Sequence, residues 1–142
     1  MAQNLIVLPA AAQVLLTFVV LILMARARAL SQKERGQSTQ DLALASNADW
    51  NAAALKAANN YKNLFEVPVL FFAAAAFALM TRTVDGWMLG LAWLFVASRV
   101  AHTMIHVTSN IVMLRGPVFM IGFFAVLAMW TLIVWRVAAT GF

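Results

Sequence analysis

Apolar residues fall along this chain in four long blocks separated by shorter polar intervals. Leu5 to Ala25 is interrupted only by Pro9, Gln13 and Thr17. A membrane-spanning helix needs about 20 predominantly apolar residues, so the block predicts a first helix over about residues 5–30. Pro9 falls in its first turns, where the missing N–H does least harm. Ser31 to Asn51 is the longest polar interval and is expected as a loop, with a short apolar patch, Leu42-Ala43-Leu44-Ala45, at the interface. A second helix is expected over about residues 50–80, from an N-cap at Asp49 through an Ala-rich stretch to Met80. At about 1.5 Å per residue it exceeds the bilayer, so its first turns project beyond it. Pro68 lies inside it, a kink that neighbouring membrane helices can accommodate. Thr81–Gly86 reads as a tight connection, and a third helix spans about 87–113. Arg115-Gly116-Pro117 reads as a break, and a fourth helix spans about 118–138. Trp87, Trp130 and Trp135 fall near expected helix ends, where indole rings prefer the interface. The expected fold is an all-α membrane protein, a four-helix transmembrane bundle forming one domain over residues 1–142, without internal repeats.

Composition strengthens this reading. Apolar residues make up 64% and charged residues 11%, and the mean hydropathy is +0.86, whereas soluble domains carry roughly a quarter charged residues. Cysteine is absent, so any thiol chemistry requires a thiol brought by a ligand. The net charge of +5 does not point to nucleic acid. Arg26, Arg28, Lys33 and Arg35 gather at the first interval and Arg115 at the third, against Arg82 and Arg136 at the opposite side. This excess places those two intervals in the cytoplasm beside anionic lipid, with both termini outside. The N-terminus lacks the basic region of a signal peptide, and the first block ends in a stop-transfer flank, so it is expected as a retained helix.

Two polar stripes cross the apolar blocks. Arg99, His102, His106 and Asn110 recur at intervals of three, four and four, and Asn59, Asn63 and Glu66 at four and three. Each set lies on one face of a helix. Ionisable groups at bilayer depth are costly and mark function by default. In an antiparallel hairpin the depths of Glu66 and Arg99 match, which makes a Glu66–Arg99 ion pair plausible. His102 and His106 then lie level with Asn63 and Asn59. The product is a cytoplasm-facing polar cleft with Lys56, Lys62 and Arg115 near its mouth, suited to a small anionic or zwitterionic ligand. The stripes could equally fix helix register and oligomer state without binding anything. His102 and His106 have metal-ligand spacing with Glu66 as a third candidate, but no second acidic or His pair completes a site, and no metal is expected. Asn110 and Ser109 could be helix-terminal groups. Tyr61, the only tyrosine, could donate to a ligand or anchor at the interface.

The segment Asn59-Asn60-Tyr61-Lys62-Asn63-Leu64-Phe65-Glu66-Val67-Pro68 resembles the second-helix signature of the MAPEG family, the membrane-associated proteins in eicosanoid and glutathione metabolism. Arg99-Val100-Ala101-His102-Thr103 resembles the third-helix motif of that family's microsomal prostaglandin E synthase branch. The longer string through His106 and Asn110 is similar to bacterial-type members. The resemblance covers nearly the whole chain. It implies a homotrimer of four-helix bundles in, for a bacterial member, the inner membrane, with glutathione as co-substrate between neighbouring subunits near the cytoplasmic side. Carried over position by position, Asn63, Glu66, Arg99 and His102 match family positions that bind glutathione or support its site. Lys62 stands where eukaryotic enzymes often have Arg, Asn59 where catalytic members have a further Arg, and His106 where they have a ligand-binding Tyr. Catalytic members also carry an Arg at the start of the fourth helix, where a cation stabilises the nucleophilic thiolate. Here Val118-Phe119-Met120-Ile121 occupies the expected start. Arg115 is the nearest replacement for this catalytic cation, within reach only if the loop folds back. The resemblance thus implies a glutathione-dependent transferase or peroxidase acting on lipophilic substrates from the bilayer. The rival expectation is a non-catalytic membrane scaffold or anion-binding trimer.

Overall fold

The computed structural model of the chain describes residues 2–46 and 49–140. It contains five α-helices: α1 (Val7–Arg35), α2 (Ala52–Asn63), α3 (Val67–Met80), α4 (Gly86–Val107) and α5 (Val112–Thr140). Short 3-10 turns at Gln3–Ile6 and Asp41–Leu44 complete the regular structure among the described residues. α2 and α3 together make one crossing, so the helices form four segments long and apolar enough to span a membrane.

The expected blocks are all helical, but three boundaries and one continuity differ. α1 continues to Arg35, so Ser31–Arg35 belongs to the helix and not to a loop. Its stop is Gly36, left-handed at φ 63°, whose N–H reaches the carbonyls of Gln32 and Lys33. Only glycine adopts that geometry without a Cβ penalty, and Lys33 and Arg35 in the last turn suit the negative end of the helix dipole. At the next start the N-cap is Asn51, whose side chain accepts from the Ala54 N–H. Asp49 instead accepts from the N–H and hydroxyl of Ser46. The second crossing is broken outright at Leu64–Glu66, with Pro68 in the first turn of α3, where its missing N–H leaves no bond unmade.

The third boundary bears on the site. α4 ends at Val107, six residues before the expected position, and α5 begins at Val112, six residues early. The reversal is made by Asn110, left-handed at φ 52°, a conformation asparagine tolerates better than other non-glycine residues. The Ile111 carbonyl accepts from the N–H groups of Leu114 and Arg115 and starts the new helix. Arg115-Gly116-Pro117 therefore lies in the first turns of α5 and does not interrupt it.

The chain passes up and down, so alternate connections share an end. At one end Asn51 N–H donates to Ser31 Oγ at 2.8 Å, and Lys56 Nζ to the Thr108 carbonyl at 3.2 Å. At the other end Val84 exchanges two hydrogen bonds with the Gln3 amide, and Arg136 donates to the Thr83 carbonyl and to Asp85. Between the ends Phe71 of α3 stacks on Phe95 of α4 at 4.4 Å, and Ala74, Ala78 and Ala92 let the backbones approach closely. Trp130 lies well inside α5, not near its end, and its indole N–H donates to the Leu70 carbonyl at 3.1 Å.

Asp85 caps α4 by accepting from the Met88 N–H at 2.9 Å. Partial burial opposes its ionisation. The Met88 N–H and the Arg136 guanidinium outweigh that and hold its carboxyl below the ordinary 3.8. A depressed folded-state value means that Asp85 stabilises the fold above that ordinary value and loses the contribution as pH falls through the folded one. Melting of the purified protein should therefore weaken below about pH 4, and part of that acid loss should vanish in Asp85→Asn. An unchanged acid profile in the variant would remove Asp85 from the account.

Candidate functional site

Residues of both stripes line one cleft, though without Arg99 and without the pairing their spacing predicts. Asn59, Lys62, Asn63, Glu66, His106, Asn110 and Arg115 line a cavity of about 400 Å³. A second cavity, also about 400 Å³, shares Asn63, Glu66 and Arg115 with the first and adds His102, Val112, Gly116, Phe119 and Met120. The shared residues make these two chambers of one cleft, polar on the α2 side and more apolar along α5.

The helix break shapes the α2 wall. Asn59 and Asn63 project from the last turns of α2, whereas Glu66 lies in the break with φ −89° and ψ −94°. Its carboxylate is exposed to the cleft and does not reach Arg99. The expected Glu66–Arg99 ion pair is absent: among the described residues the one salt bridge is Arg136–Asp85. Arg99 is 1% exposed and points away from α2 into the α4–α5 seam. There its Nη2 donates to the Phe119 carbonyl at 2.9 Å, and its guanidinium lies 4.7 Å from the Phe119 ring centre and 5.4 Å from that of Phe95. Arg99 therefore lies behind the cleft wall and lines neither chamber.

The α5 wall is built around Arg115. Its Nη1 donates to Asn110 Oδ1 at 2.7 Å and to His106 Nε2 at 2.9 Å. A guanidinium only donates, so His106 accepts through Nε2 and carries its proton on Nδ1. The Arg115 carbonyl is 3.3 Å from His102 Nδ1, and a carbonyl only accepts, so His102 also carries its proton on Nδ1. Among the described residues, Arg99 Nε, His102 Nε2 and His106 Nδ1 are buried without a partner in the chain. The site thus holds Arg115 and Lys62 at its surface and Arg99 behind, against the single carboxylate of Glu66. An anion is the complementary ligand.

Arg115 needs no folded-back loop to reach the site. Because α5 starts at Val112, Arg115 occupies the opening turn of the fourth crossing, the place that Val118-Phe119-Met120-Ile121 had been expected to fill. Asn110 belongs to the connection and not to the α4 stripe, and from there it orients Arg115. Gly116, Phe119 and Met120 also line the cleft, and they carry no polar or periodic signal in the sequence because their placement depends on α5 starting at Val112. Tyr61 faces away from this cleft, edge-on to Phe65 at 5.0 Å in an apolar groove against α1.

Comparison with known families matches the chain to the MAPEG family over residues 6–135. The chain belongs to the MAPEG family. Comparison with curated proteins and with solved structures gave no match. Membership together with the four apolar crossings makes this an integral, multi-pass membrane protein. As a MAPEG protein it falls among membrane proteins of eicosanoid and glutathione metabolism.

Proposed function

We propose that the protein is a glutathione-dependent transferase or peroxidase acting on lipophilic substrates. The observation that carries this reading is the placement of Arg115. It stands in the first turn of the fourth crossing, held by His106 and Asn110, and shares a cleft with Asn59, Lys62, Asn63 and Glu66. The polar chamber offers amide and carboxylate groups to the peptide backbone of glutathione and cations to its carboxylates. The more apolar chamber beside Phe119 and Met120 accommodates an electrophile arriving from the bilayer. Arg115 stabilises the thiolate once the thiol proton has left to water. In conjugation the sulfur lone pair forms a C–S bond and the leaving group departs with its bonding electrons. In peroxide reduction two glutathione molecules supply two electrons, giving glutathione disulfide, an alcohol and water. The protein assembles as a homotrimer with the cleft at the cytoplasmic side and both termini outside, in a bacterial inner membrane. The basic residues Arg26, Arg28, Lys33, Arg35 and Arg115 at one end support this orientation.

The test is conjugation of glutathione to a generic aromatic chloride by the purified full-length protein, beside Glu66→Gln. Turnover in the parent that falls at least tenfold in Glu66→Gln supports the enzyme. An unreactive parent whose assembly falls apart on Glu66→Gln overturns it in favour of a scaffold locked by its polar stripes.

A further inference from the structure

Gly122, on α5, faces Ser98 and Arg99 of α4 with no room for a side chain between them. A Cβ at this position would overlap Ser98 Oγ and lie 2.7 Å from Arg99 Nη2 and 3.1 Å from Arg99 Cζ. Gly90 and Gly116 have nothing within 4 Å of the same position. Real Cβ atoms do not approach so closely, so the space that the Gly122 side chain leaves open is the space the guanidinium fills. The atom that would be displaced, Nη2, is the one that donates to the Phe119 carbonyl.

This bond has a companion one turn away. His102 donates to the Arg115 carbonyl from the same face of α4. Arg99 and His102 thus grip two carbonyls of α5 spaced four residues apart, on either side of Pro117. That stretch needs outside support, because Pro117 has no N–H to give back to the preceding turn. Stability alone does not call for a guanidinium here. A buried charge without a carboxylate is costly, and an apolar side chain of similar volume is commonly neutral or better.

We infer that Gly122 is a positioning residue for Arg115: it admits the Arg99 guanidinium to the α4–α5 seam, where Arg99 and His102 fix the first turns of α5 and so the direction in which Arg115 enters the cleft. The contribution to catalysis rests on the function proposed above, whereas the clamp itself does not.

Two measurements on the purified full-length protein separate these. The first is hydrogen exchange over residues 112–119. Gly122→Ala should speed it about tenfold, since the clamp bond no longer opposes local opening, and Gly90→Ala should leave it at the parental rate. Relief of the Ser98 overlap alone, in Ser98→Ala/Gly122→Ala, should not restore protection, while Arg99→Gln alone should reproduce the loss. Parental exchange in Gly122→Ala, or full recovery in the double variant, overturns the inference. The second is kinetic. In Gly122→Ala the kcat for conjugation should fall about tenfold while binding of S-methylglutathione, which has no thiol to ionise, changes less than about threefold. Equal losses in both would mean a general loosening of the site and overturn the positioning role. An inactive parent whose exchange still responds as expected sinks the proposed reaction and leaves the clamp standing.

Discussion

Replacing Arg115 by alanine should slow glutathione conjugation on the order of a hundred- to a thousandfold and leave the protein folded. Arg115 is half-buried, and its partners His106 Nε2 and Asn110 Oδ1 adjoin a cleft that water can enter, so its removal strands no deeply buried charge. In the function proposed above, what is lost is the cation beside the sulfur. Arg115→Lys keeps the charge but not the planar fork that engages His106 and Asn110 together, and an intermediate rate is expected. Initial rates at saturating glutathione, taken beside thermal melting of the same preparations, decide the matter. Turnover within threefold of the parent in Arg115→Ala would show that the thiolate is stabilised elsewhere.

Phe71→Ala should produce the largest loss of stability, about 3 kcal/mol, which for a chain of this size lowers the melting temperature by roughly 10 °C. Phe71 is fully buried and stacks on Phe95, the ring that also lies against the Arg99 guanidinium. In a membrane the surrounding lipid is as apolar as the side chain, so the loss comes from missing van der Waals contact, not from exposure to water. Leu15→Ala, with Leu15 65% exposed on α1, should change melting by less than about 0.5 kcal/mol in the same detergent. Equal losses at the two positions would mean that the Phe71–Phe95 stack is not a centre of the fold.

Hydrophobic blocks of membrane length announced the four crossings, because few other structures satisfy their backbone inside a bilayer. The α2 wall was equally legible, since Asn59 and Asn63 are one turn apart on a regular helix. The remaining site turned on two local choices. Gly116 and Pro117, the usual breakers, point to a reversal there, yet Asn110 makes the turn between α4 and α5 by adopting a left-handed conformation that its type only weakly signals. That displacement of six residues hid Arg115 from the start of the fourth crossing. The partner of Arg99 depended on a side-chain direction that helical spacing does not encode. Equal depth pointed to Glu66, and the open space at Gly122 turned the guanidinium to Phe119 instead. A glycine inside an apolar helix, facing a helix that carries a buried arginine, was the available signal.

The interruption at Leu64–Glu66 divides one membrane crossing into two separate helices. α2 presents Asn59 and Asn63 to the cleft and packs Ala54, Ala57 and Ala58 inward, while α3 carries Phe71 and the alanines of the central core. Because no continuous hydrogen-bond ladder joins them, substitutions along residues 52–63 need not be transmitted to residues 67–80 as a rotation of the whole helix. The cleft-lining half and the half that fills the central core can therefore change independently within a single pass of the chain.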